Sequence, residues 1–312
     1  MRREIYESYI RILKEELLTA MGCTEPIAVA YAAALARKAL GCIPERVDIS
    51  VSGNILKNVK SVIVPNTHGM KGIKAATAAG IIAGRADCKL QVLAELTDED
   101  IKAISEYLKT AEFTVNQAQN GCVFDICIRA YNGNDSAFVR IEGHHTNVVT
   151  VERNGEKLAN GKIISNGDCG LTDRSVLNVK DIIEFADSVQ LADIEEIISR
   201  QIELNSAIAE EGLKNDYGAR VGKVLLKAFG DSVHNRAKAT AAAGSDARMN
   251  GCNLPVVIVS GSGNQGMTAS LPVIVYAKHL NASREMLLRA VALSDLITIH
   301  LKTGIGRLSA YC

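Results

Sequence analysis

The chain has 312 residues, 47% of them hydrophobic and 22% charged, so it can bury a sizeable core in one large or two ordinary domains. Its 35 lysines and arginines balance its 35 aspartates and glutamates, which argues against nucleic acid or an anionic membrane as a partner. With 4% aromatic residues and no tryptophan, base-stacking and aromatic sugar-binding surfaces are also disfavoured.

The N-terminal segment is predicted to form an amphipathic helix. Over residues 4–20, Ile5, Ile10, Leu13 and Leu17 recur mostly on one face at helical spacing. The segment lacks the continuous apolar core of a secretion signal, and no apolar stretch in the chain reaches the roughly 20 residues of a membrane span. The sequence therefore predicts a cytoplasmic protein that does not cross a membrane.

A second helix is predicted to follow at once and to run to Gly41. Pro26 suits the first helical position, where its missing N–H costs nothing, and Thr24 or Glu25 can cap the helix. Cys23 then lies in the turn before the helix. The positive end of the helix dipole favours a thiolate there, which is the form that a nucleophile or metal ligand needs, although a single cysteine is more often structural.

The middle of the chain predicts a small α/β region. Alternating apolar residues indicate a strand over 46–53, and the Gly-rich turn PNTHGMKG at 65–72 leads into a small-residue helix over 73–84. Residues 98–108 have a helical pattern. From 121 to 152 three segments alternate with period two between turn sequences, which predicts a three-stranded antiparallel meander.

The last part of the chain, from about residue 176, is predicted to be mainly helical and to end in a helix from Ser283 to Lys302. The predicted fold class is therefore α+β. A mainly helical domain that holds the catalytic and substrate groups is formed from both chain ends, residues 1–43 and 166–312. A small α/β domain with the antiparallel meander, residues 44–165, is inserted into it.

A glycine motif, GSGNQG at 261–266, follows the plausible strand PVVIVS. It matches the GxGxxG fingerprint of dinucleotide-binding folds, but no second strand ending in an acidic residue follows it. A more general role remains: the turn at a helix N-terminus offers N–H groups to an anion such as a substrate carboxylate. The alternative is that the glycines only permit close helix packing.

The cysteines and histidines form no local metal motif. No CxxC pair, HExxH segment or zinc-ligand spacing occurs. Cys122 and Cys127 are five residues apart on a predicted strand, so they should point to opposite faces and belong to the core. Cys252 precedes the glycine motif and could line the same cavity. His68 lies in a turn flanked by glycine, where a functional role is plausible.

Four unusual motifs occur in order along nearly the whole chain, and together they resemble the L-cysteine desulfidase family, which is related to the α-subunit of iron-sulfur L-serine dehydratases. The motifs are GCTEP at 22–26, SGNILKNVKSVIVPNTHGMKGI at 52–73, GCNLPVVIVSGSGNQGMTASLPVIVYA at 251–277 and LITIHLKTGIGRLSAYC at 296–312.

The resemblance implies a [4Fe-4S] cluster held by three cysteines, with one iron open as a Lewis acid for elimination from a small amino acid. The positions that match the family's ligands are Cys23 and Cys312. Family members continue to a further ligand cysteine, so the helical domain is expected to be C-terminally incomplete. The third ligand is then missing, unless Cys252 substitutes for it.

Within this hypothesis, the amides and side chains of Ser262, Gly263, Asn264 and Gln265 are expected to cradle the substrate carboxylate, and His68 or Lys71 to supply the general base. The expected reaction converts L-cysteine to pyruvate, ammonia and sulfide.

Three alternatives stay open: an L-serine dehydratase, a pyridoxal-phosphate lyase, and a truncated remnant that binds an amino acid without turnover. Exposed apolar surface beside a missing C-terminal segment would favour a homodimer or aggregation.

Overall fold

The computed structural model describes residues 1–60, 62–160 and 171–305. It is a mixed α and β structure with 58% helix, which confirms the predicted class. The helices are α1 (Arg3–Glu16), α2 (Thr24–Leu40), α3 (Gly53–Val59), α4 (Gly72–Ala83), α5 (Asp98–Thr110), α6 (Val179–Ser188), α7 (Leu191–Lys214), α8 (Val221–Phe229), α9 (Val233–Met249), α10 (Gly263–His279) and α11 (Arg284–Lys302). The strands are β1 (Thr19–Met21), β2 (Arg46–Val51), β3 (Glu112–Gln117), β4 (Asp125–Asn132), β5 (Asp135–Glu142), β6 (Val148–Arg153), β7 (Glu156–Asn160) and β8 (Pro255–Val257).

The described residues divide into two compact units. The helical unit comprises residues 1–20 and 171–305, and the sheet unit comprises residues 21–160. Helix α2 belongs to the sheet unit. The predicted inserted-domain arrangement, with boundaries near residues 44 and 165, stays a prediction.

The sheet unit is built on a six-stranded sheet in the order β3-β2-β4-β5-β6-β7. Strands β4, β5 and β6 form the predicted antiparallel meander, and β7 extends it. Strand β2 pairs antiparallel with β4 and parallel with β3. The sequence reasoning missed β3, whose side chains are at most half-buried, because its pairing with β2 is non-local.

Two helices cover the sheet unit's core. Helix α2 is buried along most of its length and packs against β4, β5 and α4. It ends at Gly41, whose φ of 87° is the left-handed conformation that favours glycine at a helix C-terminus. Gly80 of α4 lies against α2, since a Cβ there would be 2.1 Å from the carbonyl oxygen of Ala30. This close crossing holds the helix that carries Cys23 at its start.

The helical unit has its own apolar core, to which α1, α6, α7 and α11 contribute large side chains such as Tyr9, Phe185 and Ile198. Helix α9 packs against α7, α8 and α10. None of the helices in the described ranges is long and apolar enough to cross a membrane.

Several local predictions were wrong. Helix α1 ends at Glu16, not at residue 20, because the chain turns into β1 and the Leu18 carbonyl accepts a hydrogen bond from Ile258 N at 2.9 Å. In α2, Cys23 is the N-cap instead of Thr24 or Glu25. Pro26 is therefore the third helical residue, which is tolerated because the first four N–H groups have no partner within a helix.

Two further corrections concern side chains. Cys122 precedes β4 instead of lying on the same strand as Cys127, so the alternation argument does not apply to it. His145 lies in the polar turn sequence HHTN between β5 and β6, yet it is 5% exposed and packs edge-to-face on Phe124, with ring centroids 4.8 Å apart. Apolar packing of the turn against Phe124 outweighed the polar character of its sequence.

Candidate functional site

The first candidate group lies at the start of α2 in the sheet unit. Cys23 is 6% exposed, and its thiol donates a hydrogen bond to Glu25 Oε2 at 3.0 Å. The hydroxyl of Thr24 donates to the same oxygen at 3.0 Å, and Asn58 Nδ2 from α3 donates to Glu25 Oε1 at 3.3 Å. The predicted ligand therefore sits at the positive end of a 17-residue helix, in a buried network around one carboxylate.

A tight turn packs beside this helix start. Gly22 has a φ of 53°, and a Cβ on it would lie 2.2 Å from Pro65 Cγ, so only glycine fits here. Pro65 opens the turn that carries His68 and Lys71. The turn is closed by hydrogen bonds such as Val64 N to the Met70 carbonyl at 2.8 Å. The structure thus brings two sequence-predicted segments, the Cys23 turn and the His68 turn, into contact.

The two candidate bases occupy different environments within this turn. His68 has a φ of 53°, and its Nε2 lies 3.6 Å from Asp98 Oδ1 at the start of α5. Both side chains are mostly exposed. At this distance the carboxylate is a charged neighbour of the imidazole without a hydrogen bond to it. Lys71 is the exposed N-cap of α4.

The second candidate group is the glycine hairpin at the start of α10 in the helical unit. Val259 and Ser262 exchange two backbone hydrogen bonds of 3.1 Å across a two-residue turn. Ser260 and Gly261 fill that turn with φ values of 48° and 78°, the left-handed pair that a tight hairpin turn requires. Ser262 then caps α10, because its Oγ accepts a hydrogen bond from Gln265 N at 3.3 Å.

The four predicted carboxylate-binding residues, Ser262 to Gln265, are consecutive here. They form the N-cap and first turn of α10, where N–H groups have no partner within the helix. Helix α10 begins at Gly263, inside the glycine motif, and α11 follows it. The strand that a dinucleotide fold needs after this helix is therefore missing from the described part of the chain.

The glycines of the motif also serve packing. A Cβ on Gly266 would lie 2.1 Å from the Val257 carbonyl oxygen, and a Cβ on Gly263 would lie 2.4 Å from Arg248 Nε. Both interpretations of the glycines, close packing and anion binding, are therefore compatible with the structure. The glycines permit the close packing, and they carry no side chain that would cover the start of α10.

Arg248, at the end of α9, is a site residue that the sequence reasoning missed. It is 4% exposed, and its Nη1 donates to Asn264 Oδ1 at 3.0 Å. Its Nε has no hydrogen-bond partner. One sequence feature indicates that Arg248 is buried. It lies four residues after Gly244 and eleven after Ala237, and this helical spacing places all three on the buried face of α9.

Cys252 lies close in sequence to the hairpin but in a different setting. It is 4% exposed, and burial raises the pKa of its thiol. Its neighbour is Tyr217, whose hydroxyl donates to Glu211 Oε1 at 2.9 Å. The role of Cys252 as a substitute ligand stays a prediction.

The described residues do not form a complete metal site. They contain no group of three or more histidine, cysteine, aspartate or glutamate side chains that could hold a metal ion. Cys23 is the one predicted ligand among them, and Cys312 lies outside the described residues. One thiol cannot hold a cluster by itself.

Comparison with known proteins identifies the family. The family model described as serine dehydratase alpha chain matches residues 87–312, which is more than half of the chain. The chain belongs to the serine dehydratase alpha chain family. It is also 56% identical to a UPF0597 protein of Desulfitobacterium hafniense over 98% of this chain and 71% of that relative. It is 47% identical to a UPF0597 protein of Lachnoclostridium phytofermentans over 99% of this chain and 74% of that relative. It is also 47% identical to a UPF0597 protein of Treponema denticola over 98% of this chain and 73% of that relative.

Membership in the serine dehydratase alpha chain family confirms the broader part of the resemblance, whereas the names of these relatives state no activity. The matched range contains Arg248 and the glycine hairpin. Cys23, His68 and Lys71 precede that range, but the UPF0597 relatives align with nearly the whole chain.

Proposed function

We propose that this serine dehydratase alpha chain family member is a lyase that removes the β-substituent of a small L-amino acid, with L-cysteine as the preferred substrate and L-serine as the alternative. A base removes the Cα proton as the Cβ–S or Cβ–O bond breaks, and the electron pair leaves with sulfide or hydroxide. The aminoacrylate formed tautomerises to an imine, which water hydrolyses to pyruvate and ammonia.

The observation that carries the proposal is the first turn of α10. Ser262 ends a tight hairpin and caps the helix through Gln265 N, so the N–H groups of Gly263 and Asn264 at the positive helix end are the ones without a partner inside the helix. The substrate's α-carboxylate is the anion that this turn would bind. Holding the carboxylate there fixes the position of the neighbouring Cα–H bond for proton removal.

The base is proposed to come from the turn of residues 65–71. His68 is the better candidate of the two, because imidazole is the commonest general base in enzymes and the Asp98 carboxylate lies 3.6 Å from its Nε2. The ammonium of Lys71 must first lose its proton to act as a base. Lys71 is exposed at the N-cap of α4.

A [4Fe-4S] cluster is part of the proposal because the family is associated with iron-sulfur serine dehydratases. Its chemistry would be Lewis-acid stabilisation of the departing sulfide or hydroxide. Cys23 and Cys312 are its proposed ligands. Cys23 has the position at a helix N-terminus that stabilises a thiolate, although its thiol would have to give up its hydrogen bond to Glu25.

The test is anaerobic reconstitution of the chain with iron and sulfide, followed by parallel assays of pyruvate from L-cysteine and L-serine. We expect pyruvate from both, faster from L-cysteine, with sulfide in equal amount. Cys23→Ala should abolish both activities and change the visible spectrum. Cys42→Ala is the matched control, because this exposed cysteine follows the other end of α2.

Full activity in Cys23→Ala would disprove the ligand assignment. Absence of pyruvate from both substrates, in protein that has taken up iron, would disprove the proposed reaction. A visible spectrum with an internal-aldimine band instead of iron-sulfur absorption would identify the pyridoxal-phosphate lyase.

A further inference from the structure

Arg248 is a buried cation that lacks a counter-charge. Its side chain is 4% exposed, and no carboxylate of the described residues lies within ion-pair distance of it. The exposed arginine on the same helix, Arg236, is in contrast paired with Asp231. Burying a guanidinium costs free energy unless an anion or a full set of acceptors compensates it.

The contacts that Arg248 does make are weak and neutral. Nη1 donates to Asn264 Oδ1 at 3.0 Å and lies 3.6 Å from Met249 Sδ, and Nε has no acceptor. An arginine has five N–H donors, and among the described residues the buried Nε donor has no acceptor. A purely structural role would be expected to satisfy more of them.

Its surroundings add further positive potential. The absence of a side chain on Gly263 lets the guanidinium lie directly over the first residue of α10, which has 17 residues. The positive end of the helix dipole and the arginine charge therefore meet at one place, where Ser262 caps the helix and no carboxylate of the described residues pairs with the arginine. Ser262, Asn264 and Gln265 are only half-buried, so a small solute can approach from their side.

We propose that Arg248 binds the α-carboxylate of the amino-acid substrate, together with the first-turn N–H groups of α10. This inference rests on the proposed function, which gave no role to Arg248. A guanidinium suits a carboxylate because two parallel N–H donors match its two oxygens. A single arginine and one helix end balance a monoanion, whereas a phosphate dianion would call for more cationic groups.

The experiment measures binding of L-alanine, which has the carboxylate but no group to eliminate, by titration calorimetry on the 312-residue chain. Arg248→Gln should raise the Kd at least about tenfold, the effect of losing a charge-assisted hydrogen bond. Arg236→Gln, on the same helix, should leave the Kd unchanged. L-alaninamide, which has no carboxylate, should bind wild type no better than it binds Arg248→Gln.

A second variant covers the case in which Arg248→Gln does not fold. Gly263→Ala keeps the charge but places a methyl group where the guanidinium lies, so it should also weaken L-alanine binding. An unchanged Kd in a folded Arg248→Gln or Gly263→Ala protein would overturn the inference. So would equal loss in Arg236→Gln, or Arg248-dependent binding of inorganic phosphate without binding of L-alanine.

Failure of the inference and failure of the proposed function give different results. If L-alanine binding depends on Arg248 but the reconstituted chain releases no pyruvate, the carboxylate site stands and the elimination does not. If pyruvate is released and Arg248→Gln leaves KM unchanged, the elimination stands and the assignment of Arg248 does not.

Discussion

Replacement of Asp295 by asparagine is predicted to stabilise the protein at high pH and to have much less effect at low pH. Asp295 lies on α11 with its side chain fully buried. Its Oδ1 accepts a hydrogen bond from Gln201 Nε2 at 3.0 Å, while Asp295 Oδ2 and Gln201 Oε1 have no partner. Burial raises the pKa of Asp295 to about 8, although the Gln201 hydrogen bond lowers it.

The pH dependence of the unfolding free energy follows from proton linkage. The ordinary pKa of the carboxyl is 3.8, so between pH 3.8 and about 8 the folded protein holds a proton that the unfolded chain has lost. The contribution of Asp295 to the free energy of unfolding is greatest below pH 3.8. It falls by about 1.4 kcal/mol per pH unit between pH 3.8 and about 8. The loss over the whole window is on the order of 5 kcal/mol.

Asparagine cannot ionise, and its amide can donate to Gln201 Oε1 while accepting from Nε2. Urea unfolding of wild type and Asp295→Asn at five pH values from 5 to 9 should show a difference in unfolding free energy that grows with pH and levels off above about 8. Asp295→Ala is the control. It should show the same growth from a lower baseline, because it leaves a cavity and an unpaired Gln201. Parallel pH profiles for wild type and both variants would refute this account of Asp295.

Three further substitutions and one control test contacts within the two units by urea unfolding. Gly80→Ala forces a methyl group against a backbone carbonyl of α2 and should cost about 1 to 3 kcal/mol. Gly304→Ala, where no atom lies within 4 Å, should be nearly neutral, and equal effects would contradict the packing argument. Thr97→Ala removes the capping box of α5 and should cost about 1 kcal/mol, which an unchanged midpoint would contradict. Arg174→Met removes the ion pair to the buried Glu16 carboxylate and should cost about 3 kcal/mol at pH 7, and a loss below about 1 kcal/mol would mean that the pair contributes little.

Local patterns in the sequence were sufficient for the elements whose stability is mainly local. The small-residue helix α4, the meander of β4 to β6 and the helix that Ser283 caps all lie close to their predicted positions. Caps, glycine turns and hydrophobic periodicity act over a few residues, so they can be read without knowing the fold.

The candidate site was predictable only in part. The turn before α10 was predicted from its glycines, and the turn that carries Cys23 from the proline and helix that follow it. Arg248 was not found, because its charge predicts exposure and only its packing against Gly263 makes it a buried cation at a helix start. The roles of His68 and Lys71 stay predictions.

The sequence by itself determined the mixed α and β class, most helices and the meander, because side-chain periodicity and turn residues encode them locally. Only the tertiary structure decided where α1 ends, that β3 joins the sheet beside β2, and which polar side chains are buried. Each of these depends on hydrogen bonds or packing between segments far apart in the chain. Such contacts leave no mark in the local spacing of residues.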